Sequence, residues 1–199
     1  MLRVIAGDLK RRTIRTPPDG STTRPLPDRV RTALFNMLAG HLEGCDVLDC
    51  FAGTGSFGIE ALSRGAEHAV FVERDKKVAD LIEANLRELG VWERATLVRA
   101  DALSPTALAM CPRPVHVVFM DPPYPLMQDP TSRGRIMDRL AEYADLLDDD
   151  GFAIIRTPWP YEDRDDEGTR TDVPLEHPGL EGPETHVYGS TAVHWYMKA

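Results

Sequence analysis

Apolar runs of four to six residues recur through the middle of the chain, separated by segments in which apolar residues return at helical spacing. The run Val115–Met120 has the length and β-branched content of a strand that is buried on both faces. Shorter runs of the same kind predict strands at Asp46–Cys50, His68–Val72, Ala95–Arg99 and Phe152–Ile155. Burial on both faces is typical of parallel sheets.

The helical spacing in the intervening segments predicts five helices. They are expected at Asp28–Leu38, Phe57–Ser63, Asp75–Leu89, Leu103–Met110 and Arg135–Leu147. Strands that alternate with helices in this way form a parallel, doubly wound sheet with right-handed crossovers and helices on both faces. The predicted class is therefore an α/β, Rossmann-like fold.

The two ends of the chain depart from this alternation. Arg3–Ala6 and Arg12–Arg15 are strand-like pieces around a Gly7-Asp8 turn signal, and we expect them to form a small hairpin. Thr171–Leu175 and Thr185–Met197 are expected to be antiparallel strands that close the sheet edge. The expected sheet is then seven-stranded and mostly parallel, with an antiparallel C-terminal hairpin.

Three polar stretches lie between the predicted elements. Residues 125–134 are expected to form a loop. Residues 158–168 are acidic, contain proline and are expected to be mobile. Asp148-Asp149-Asp150 would place three acids at the negative end of the last predicted helix, which is locally unfavourable.

The 199 residues, 42% hydrophobic and 28% charged, fit one globular domain with a small appendage. The net charge of −9 alone argues against a nucleic-acid partner. However, residues 1–40 carry eight Lys or Arg against three acids, whereas residues 41–199 carry fifteen against twenty-nine. We therefore divide the chain into a basic N-terminal arm, residues 1–40, and a body, residues 41–199. Such an arm either contacts a polyanion or is simply solvated, and charge alone favours neither.

Cysteine and histidine usage argues against two kinds of site. The three cysteines form no C-x-x-C pair, which argues against a disulfide framework or a zinc site and fits a reducing cytoplasm. The six histidines show no metal-ligand spacing, so we expect no metal. No apolar run approaches the length of a membrane span, and the N-terminus lacks the apolar core of a signal peptide.

A glycine-rich loop, Gly53-Thr54-Gly55-Ser56-Phe57-Gly58, follows the first strand of the body and satisfies G-x-G-x-x-G. Taken alone, this motif is weak and would suggest a dinucleotide. Asp49, however, stands immediately before the loop, where a pyrophosphate would meet a carboxylate. S-adenosylmethionine has no phosphate and carries an ammonium and a carboxylate, so an acid near its amine and glycine N–H groups near its carboxylate suit it better.

Acids also stand at the tips of the next two strands. Glu73, eighteen residues after Gly55, is placed to accept both ribose hydroxyls, and Asp101 with the Ala102 N–H is placed to meet the adenine edge. For any one acid, a helix cap or a solvated strand end is an equally good interpretation. All of these features together, in register with four strands, favour a cofactor site. The loop residues expected to contact the cofactor are Phe51, Ala52, Gly53 and Gly55.

The chain continues from Val115–Met120 into Asp121-Pro122-Pro123-Tyr124. Prolines cannot donate to a sheet ladder, so the strand stops here and its carbonyls are left free to accept hydrogen bonds. In open α/β sheets, ligands bind at the carboxyl ends of the strands. An acid, free carbonyls and an aromatic ring at that edge suit an exocyclic amine on a flat base, because the acceptors take the amine protons and the ring stacks on the base.

Asp49-x-Phe51-Ala52-Gly53-Thr54-Gly55, followed by Asp121–Tyr124, resembles class I S-adenosylmethionine-dependent methyltransferases that act on an amino group of a base. The resemblance implies S-adenosylmethionine as cofactor and direct methyl transfer. DNA adenine-N6 enzymes share the Asp-Pro-Pro-Tyr motif, so the motif does not fix the base.

Three N-terminal segments narrow the resemblance. Arg24-Pro25, Asp28–Arg31 and Leu34–Leu38 are similar to the N-terminal segment of the bacterial 16S ribosomal RNA guanine-N2 methyltransferases, and Tyr188–Thr191 is similar to that family's last hairpin. The chain departs from the family pattern at Leu26-Pro27, at Arg156, where the family usually has an acid, and over the acidic stretch 159–184.

This resemblance implies that Tyr124 stacks on a guanine while Asp121 and the Pro122 carbonyl accept hydrogen bonds from its amine. The expected partner is 16S ribosomal RNA or the assembling small subunit, and a monomer is the default. The arginines expected to contact RNA phosphates are Arg11, Arg12, Arg24 and Arg29. Salt bridges to the acidic body are the alternative for Arg24 and Arg29.

Three other functions remain open from the sequence. A DNA adenine-N6 methyltransferase is the nearest, although no separate target-recognition domain is visible. A non-catalytic nucleic-acid-binding protein that keeps the cofactor fold is disfavoured by the intact Asp121 and glycine loop. A nicotinamide dehydrogenase is disfavoured by Asp49 and by the absence of a placed His or Lys for acid–base chemistry.

Overall fold

The computed structural model describes residues 2–17, 28–164 and 167–199. Within these residues the strands are β1 Leu2–Arg3, β2 Thr13–Ile14, β3 Asp46–Cys50, β4 His68–Val72, β5 Ala95–Val98, β6 Val115–Met120, β7 Leu147–Pro158, β8 Glu162–Arg164, β9 Arg170–Asp172, β10 Leu180–Tyr188 and β11 Thr191–Lys198. The α-helices are α1 Asp28–Met37, α2 Ser56–Ser63, α3 Lys76–Leu89, α4 Pro105–Ala109, α5 Tyr124–Gln128 and α6 Pro130–Ala144. None of these described helices combines the length and the apolar character that a membrane crossing requires.

Seven strands form one sheet in the order β10-β11-β7-β6-β3-β4-β5. Strands β3 to β7 run parallel, whereas β11 is antiparallel to β7 and β10 is antiparallel to β11. The predicted mostly parallel sheet with an antiparallel C-terminal hairpin is confirmed. The chain order reverses between β3 and β6, which lie side by side although β4 and β5 come between them in sequence. Ligands bind at such a switch point in open α/β sheets.

Strand β6 lies in the middle of the sheet and is buried at all six positions. Successive side chains of a strand point to opposite faces. Accordingly, Val117 and Phe119 join one apolar cluster, while Val118 and Met120 join another. The sheet therefore separates two hydrophobic layers, as its continuous apolar run predicts.

The N-terminal arm packs onto the first of these layers. On α1, Leu34 and Phe35 are buried in the cluster that holds Phe119, and the ring centroids of Phe35 and Phe119 are 5.5 Å apart. The buried Arg31 side chain donates to the Arg3 carbonyl and so ties α1 to the hairpin of β1 and β2. That hairpin is confirmed, with two residues per strand instead of the four expected. The described part of the arm thus shares its core with the body.

Helix α6 begins at Pro130, earlier than predicted. The Asp129 side chain accepts the Ser132 N–H at 2.7 Å, and Pro130 stands in the first turn, where its missing N–H costs nothing. The loop expected over residues 125–134 is wrong, because α5 and the start of α6 occupy it. The first turn of α6 is largely exposed, so apolar spacing could not reveal it.

The three acids Asp148-Asp149-Asp150 lie in strand β7 rather than at the end of a helix. Both Asp148 oxygens lie 2.9 Å from Nδ1 of His116, and Asp149 pairs with Lys198 at 2.9 Å. The predicted end of the last helix at Leu147 is therefore wrong, because α6 ends at Ala144 with Asp145 as its C-cap residue and the three acids lie beyond it.

The C-terminal edge also differs from expectation. The sheet strand expected at Thr171–Leu175 is wrong, because β9 pairs with β8 and not with the sheet. All three β9 residues are exposed and offer no apolar face, whereas β11 is buried at six of its eight positions and pairs with β7. Part of the stretch 158–168, expected to be mobile, forms β8, while residues 165–166 lie outside the described part.

Candidate active site

A cavity of about 680 Å³ lies at the carboxyl edge of the sheet, beside the switch point. Its walls come from the loop after β3, the segments that follow β4, β5 and β6, one residue of β7, and residues of α2, α3 and α5. Its volume is that of a small-molecule site. Eight residues singled out from the sequence line it, namely Phe51, Ala52, Gly53, Glu73, Ala102, Asp121, Pro122 and Tyr124.

The loop between β3 and α2 contains three residues with left-handed backbone conformations. The φ angle is 57° at Phe51, 55° at Gly53 and 75° at Gly55. Glycine adopts such angles freely, whereas a phenylalanine there costs roughly 1–2 kcal/mol. Strained residues gather at ligand sites, and Phe51 lines the cavity.

Asp49 is fully buried near the end of β3. Its Oδ2 accepts the Gly58 N–H at 2.9 Å, while its Oδ1 has no hydrogen-bond partner in the described part of the chain. Burial raises the pKa of Asp49 well above the ordinary carboxyl range; the Gly58 N–H opposes this shift, and the charges of Asp121 and Glu73 add to it. Asp49 does not line the cavity itself, but it is electrostatically coupled to two acids that do.

Glu73 lines the cavity, and its carboxylate accepts the N–H groups of Gly53 at 3.0 Å and Asp75 at 2.8 Å. A carboxylate has about four acceptor positions, so roughly two remain for ribose hydroxyls. The Gly55 N–H donates to the Ala52 carbonyl at 2.7 Å. The glycine N–H groups expected to meet a cofactor carboxylate are thus bonded within the protein.

Asp101 is not among the residues that line the cavity. Its carboxylate accepts the Leu103 N–H at 2.8 Å and pairs with Arg74 at 3.2 Å, and its side chain is 45% exposed. The structure brings the neighbouring Ala102 to the cavity, together with the apolar Val72.

Three features of the site fit S-adenosylmethionine, although Asp101 and the glycine N–H groups, which were also expected to bind it, are bonded within the protein. The partnerless, buried Oδ1 of Asp49 favours a cation nearby, such as an ammonium group. Glu73 would accept the ribose hydroxyls, and the wall at Val72 and Ala102 offers apolar surface to the adenine ring.

Asp121 is held by an arginine that was not predicted as a site residue. Arg156 donates from Nε to Oδ1 at 2.5 Å and from Nη2 to Oδ2 at 3.1 Å. Both side chains are mostly buried, with 14% of Arg156 and 19% of Asp121 exposed. Burial lowers the pKa of Arg156, but Asp121 and Tyr124 outweigh it, so the pKa is raised and the guanidinium stays charged.

The hydroxyl of Tyr124 is bonded on two sides. It accepts from Arg156 Nη1 at 3.2 Å and lies 3.0 Å from Oγ1 of Thr191. Because Thr191 donates its own proton to the Thr157 carbonyl at 3.0 Å, the tyrosine is the donor to Thr191. The Arg156 guanidinium also lies 5.0 Å from the centroid of the Tyr124 ring. The Pro122 carbonyl accepts no hydrogen bond from the described residues and remains an acceptor at the cavity wall.

Three of the four arginines expected at RNA phosphates fall within the described residues. Arg11 and Arg29 are exposed, and neither side chain bonds to another described residue. Arg12 is also exposed, but its Nη2 donates to the Glu88 carbonyl on α3 at 2.9 Å. Arg24 lies outside the described residues.

One group of described residues has side chains suited to a metal ion, namely His116, Asp148 and Asp150. Their candidate ligand atoms lie within 4.8 Å of one another. The group belongs to the amino ends of β6 and β7, at the sheet edge opposite the cavity, so it takes no part in the candidate site.

Arg156 and Thr191 are the site residues that sequence reasoning missed. Met120 pairs with Ile155 in the register of β6 and β7, so the next residues, Asp121 and Arg156, are neighbours at the carboxyl edge. The sequence does show that Arg156 is a cation directly after the predicted strand Phe152–Ile155. That observation points to Asp121 only when the order of the strands in the sheet is known. Thr191 comes from an antiparallel strand, and the similarity of Tyr188–Thr191 to a family hairpin does not indicate that its side chain reaches the site.

Solved methyltransferase structures share this fold. A putative methyltransferase from Escherichia coli, yhhF, is 29% identical with a TM-score of 0.75, over 99% of this chain and 97% of that one. A putative methylase from Haemophilus influenzae, HI0767, is 28% identical with a TM-score of 0.72, over 99% of this chain and 98% of that one.

Relatives by sequence carry ribosomal RNA methyltransferase names. The putative rRNA methyltransferase YlbH of Bacillus subtilis is 36% identical over 154 residues, which are 77% of this chain and 80% of the relative. Ribosomal RNA small subunit methyltransferase D of Escherichia coli is 38% identical over 151 residues, 76% of this chain and 69% of the relative. The family model described as conserved hypothetical protein 95 matches residues 2–166. The chain therefore belongs to the conserved hypothetical protein 95 family and has the fold of a class I methyltransferase.

Proposed function

We propose that this protein transfers a methyl group from S-adenosylmethionine to the exocyclic N2 amine of a guanine in 16S ribosomal RNA. The observation that carries the proposal is a shared cavity, because Asp121, Pro122 and Tyr124 line it together with Gly53 and Glu73. One cavity can thus hold a methyl donor beside an amine. The ribosomal substrate is inferred from the names of the relatives, and guanine N2 from the N-terminal resemblance.

The amine of guanine is conjugated with its ring and is a poor nucleophile. Bound S-adenosylmethionine supplies an electrophilic methyl group on a sulfonium sulfur. The Asp121 carboxylate and the Pro122 carbonyl accept the two amine protons, which favours a pyramidal nitrogen with its lone pair free to attack. Tyr124 stacks on the base and fixes its plane. Much of the rate then comes from orientation.

The reacting base has to leave its stack before it can enter the cavity. Unstacking costs a few kcal/mol, and less for a base in a loop. The new N–C bond forms as the S–C bond breaks, and the electron pair of that bond stays on sulfur. The nitrogen then releases one proton, which passes to Asp121 or to water.

The arm, residues 1–40, serves in this proposal to dock RNA on the methyltransferase body, residues 41–199. Arg11 and Arg29 are its exposed cations without a described partner. Contacts to phosphates position an RNA and do not read its sequence. The protein acts as a monomer in this proposal, and its ribosomal substrate would place it in the cytoplasm.

The test is transfer of labelled methyl groups to unmethylated 30S subunits, naked 16S RNA and DNA in parallel, followed by nucleoside analysis. We expect N2-methylguanosine in one of the ribosomal acceptors and no label in DNA. Labelled N6-methyladenine in DNA would replace the proposal with a DNA adenine-N6 methyltransferase. Binding of RNA without transfer to any acceptor would favour a non-catalytic nucleic-acid-binding protein.

A further inference from the structure

Arg156 bonds to both side chains that are proposed to hold the base, Asp121 at its amine and Tyr124 at its ring. Its Nε and Nη2 donate to the two oxygens of Asp121, while its Nη1 donates to the hydroxyl of Tyr124. A guanidinium is planar and presents its donors in a fixed fork. Because one planar guanidinium bonds to both groups, the orientation of the Asp121 carboxylate is fixed relative to the Tyr124 side chain.

The sheet register puts Arg156 in this place. Met120 of β6 pairs with Ile155 of β7, so Asp121, directly after β6, lies beside Arg156 of β7. Strands β6 and β7 are parallel neighbours inside the sheet. Their pairing therefore fixes the backbone positions of Asp121 and Arg156. The network continues from Tyr124 on α5 to Thr191 on β11, so it joins four elements around one acceptor.

The ion pair leaves room for the amine. A carboxylate offers about four acceptor positions, and the two bonds from Arg156 use two of them. An amine proton can therefore bind to Asp121 while Arg156 stays in place. If Arg156 were displaced instead, a mostly buried guanidinium would lose its carboxylate, which is strongly unfavourable.

We propose that Arg156 is a positioning residue for amine methylation, which holds the Asp121 carboxylate and the Tyr124 ring at a fixed mutual angle. The inference rests on the proposed function, in which those two side chains hold the base. A displacement of roughly 1 Å at a reacting group can cost on the order of 100-fold in rate, so fixing the acceptor bears directly on kcat. The alternative role is that of a latch, in which the Arg156 guanidinium blocks the Asp121 carboxylate until the incoming base displaces it.

The test compares two replacements of Arg156 with a matched control. Arg156→Gln removes the charge and the fork, whereas Arg156→Lys keeps the charge without the bidentate geometry. Arg133→Gln is the control, because Arg133 also binds a carboxylate through two nitrogens, at 2.9 and 2.7 Å from the oxygens of Asp163, and lies 5.9 Å from the Tyr161 ring. Neither of its partners lines the cavity.

With the acceptor that the wild-type protein methylates, we expect Arg156→Gln to lower kcat by roughly 100-fold, with KM for the acceptor little changed. Arg156→Lys should recover part of the loss. Calorimetry should show unchanged affinity for S-adenosylmethionine, and Arg133→Gln should keep the wild-type kcat although it loses a similar ion pair.

Four results would overturn the inference. An unchanged kcat in Arg156→Gln, or a loss confined to KM, would remove the positioning role, and a raised kcat would identify the latch. An equal fall of kcat in Arg133→Gln would trace the effect to stability alone. If DNA rather than ribosomal RNA is methylated, the proposed substrate is wrong, yet the same kcat comparison on DNA still decides the role of Arg156.

Discussion

At the level of single residues, the buried carboxyl of Asp49 is expected to couple cofactor binding to pH. Burial raises its pKa in the free protein, so Asp49 holds a proton where an exposed carboxyl would be ionised. An ammonium group near it favours the ionised form, so binding of S-adenosylmethionine should release a proton. We expect the affinity to increase as pH rises towards and through the raised pKa of Asp49. Calorimetry in buffers of different ionisation enthalpy would record the proton.

Asp49→Asn is the control, because it removes the titrating group and keeps an acceptor for the Gly58 N–H. It should bind the cofactor more weakly, with a flat pH dependence.

The raised pKa also means that the Asp49 contribution to stability is fully present below the unfolded-state carboxyl pKa and is lost as pH rises through the folded-state value. Urea unfolding of the free protein should therefore lose more stability towards neutral pH in wild type than in Asp49→Asn. Equal losses would contradict the assignment.

Asp121→Asn should separate methyl transfer from cofactor binding. Asparagine keeps the shape of the side chain, but its amide nitrogen donates instead of accepting, and the ion pair with Arg156 is lost. We expect transfer to fall by at least ~100-fold, while calorimetry shows nearly unchanged affinity for S-adenosylmethionine. A loss of cofactor binding would make Asp121 a cofactor or folding residue instead.

Individual acids were easier to find in the sequence than the groups they bond to. Asp121 and Glu73 lie at one cavity because each ends a predicted parallel strand. Asp101 comes three residues after the end of β5, and its carboxylate bonds to Arg74 instead of lining the cavity. Arg156 bonds to Asp121 because β7 lies next to β6. Bonding partners depend on strand neighbours, which no local pattern specifies.

At the level of elements, the accuracy of the sequence prediction followed burial. Strand β6 spans the residues predicted for it, because its mostly apolar run is bounded by prolines. The start of α6 and the first residues of β7 were missed, because the first turn of α6 is polar and largely exposed, and β7 carries three consecutive acids after its first residue. There a cap residue and cross-strand ion pairs determine the structure, and apolar periodicity carries no information about either.

Helix α2 depends on a glycine at its contact with β4. A Cβ added to Gly58 would lie 2.3 Å from the buried ring of Phe71, so the third glycine of the motif is needed for close packing of helix and strand. We expect Gly58→Ala to lower the free energy of unfolding by about 1–3 kcal/mol in urea titrations.

The matched control for this prediction is Gly134→Ala on α6. Gly134 is exposed, and a Cβ there would meet nothing within 4 Å. Alanine is the better helix former, so this variant should gain up to about 1 kcal/mol. Equal effects of the two substitutions would show that Gly58 matters only through helix propensity.

At the level of the whole molecule, the net charge of −9 conceals a basic segment, because positive charge is concentrated in the N-terminal arm. The arm is basic and the body strongly acidic, yet the described part of the arm shares a hydrophobic core with the sheet. Two of its arginines bind α3, because Arg12 donates to the Glu88 carbonyl and Arg15 pairs with the Glu88 carboxylate. Arg11 and Arg29 make no such bond within the described residues and remain exposed. Arg12 and Arg15 therefore attach the arm to α3, whereas Arg11 and Arg29 are left exposed to solvent.

Binding of RNA through these presented cations should depend steeply on salt, because each phosphate contact releases counterions. Arg11→Gln and Arg29→Gln should each weaken binding of 16S RNA and reduce the slope of log affinity against log salt by roughly 0.7–0.9, measured by filter binding between about 50 and 200 mM salt. Arg135→Gln is the control, since Arg135 is exposed on α6 and also bonds to no described residue. It removes the same charge without touching the arm. An equal change in all three variants would mean that only net charge matters, and binding insensitive to salt would exclude phosphate contacts by the arm.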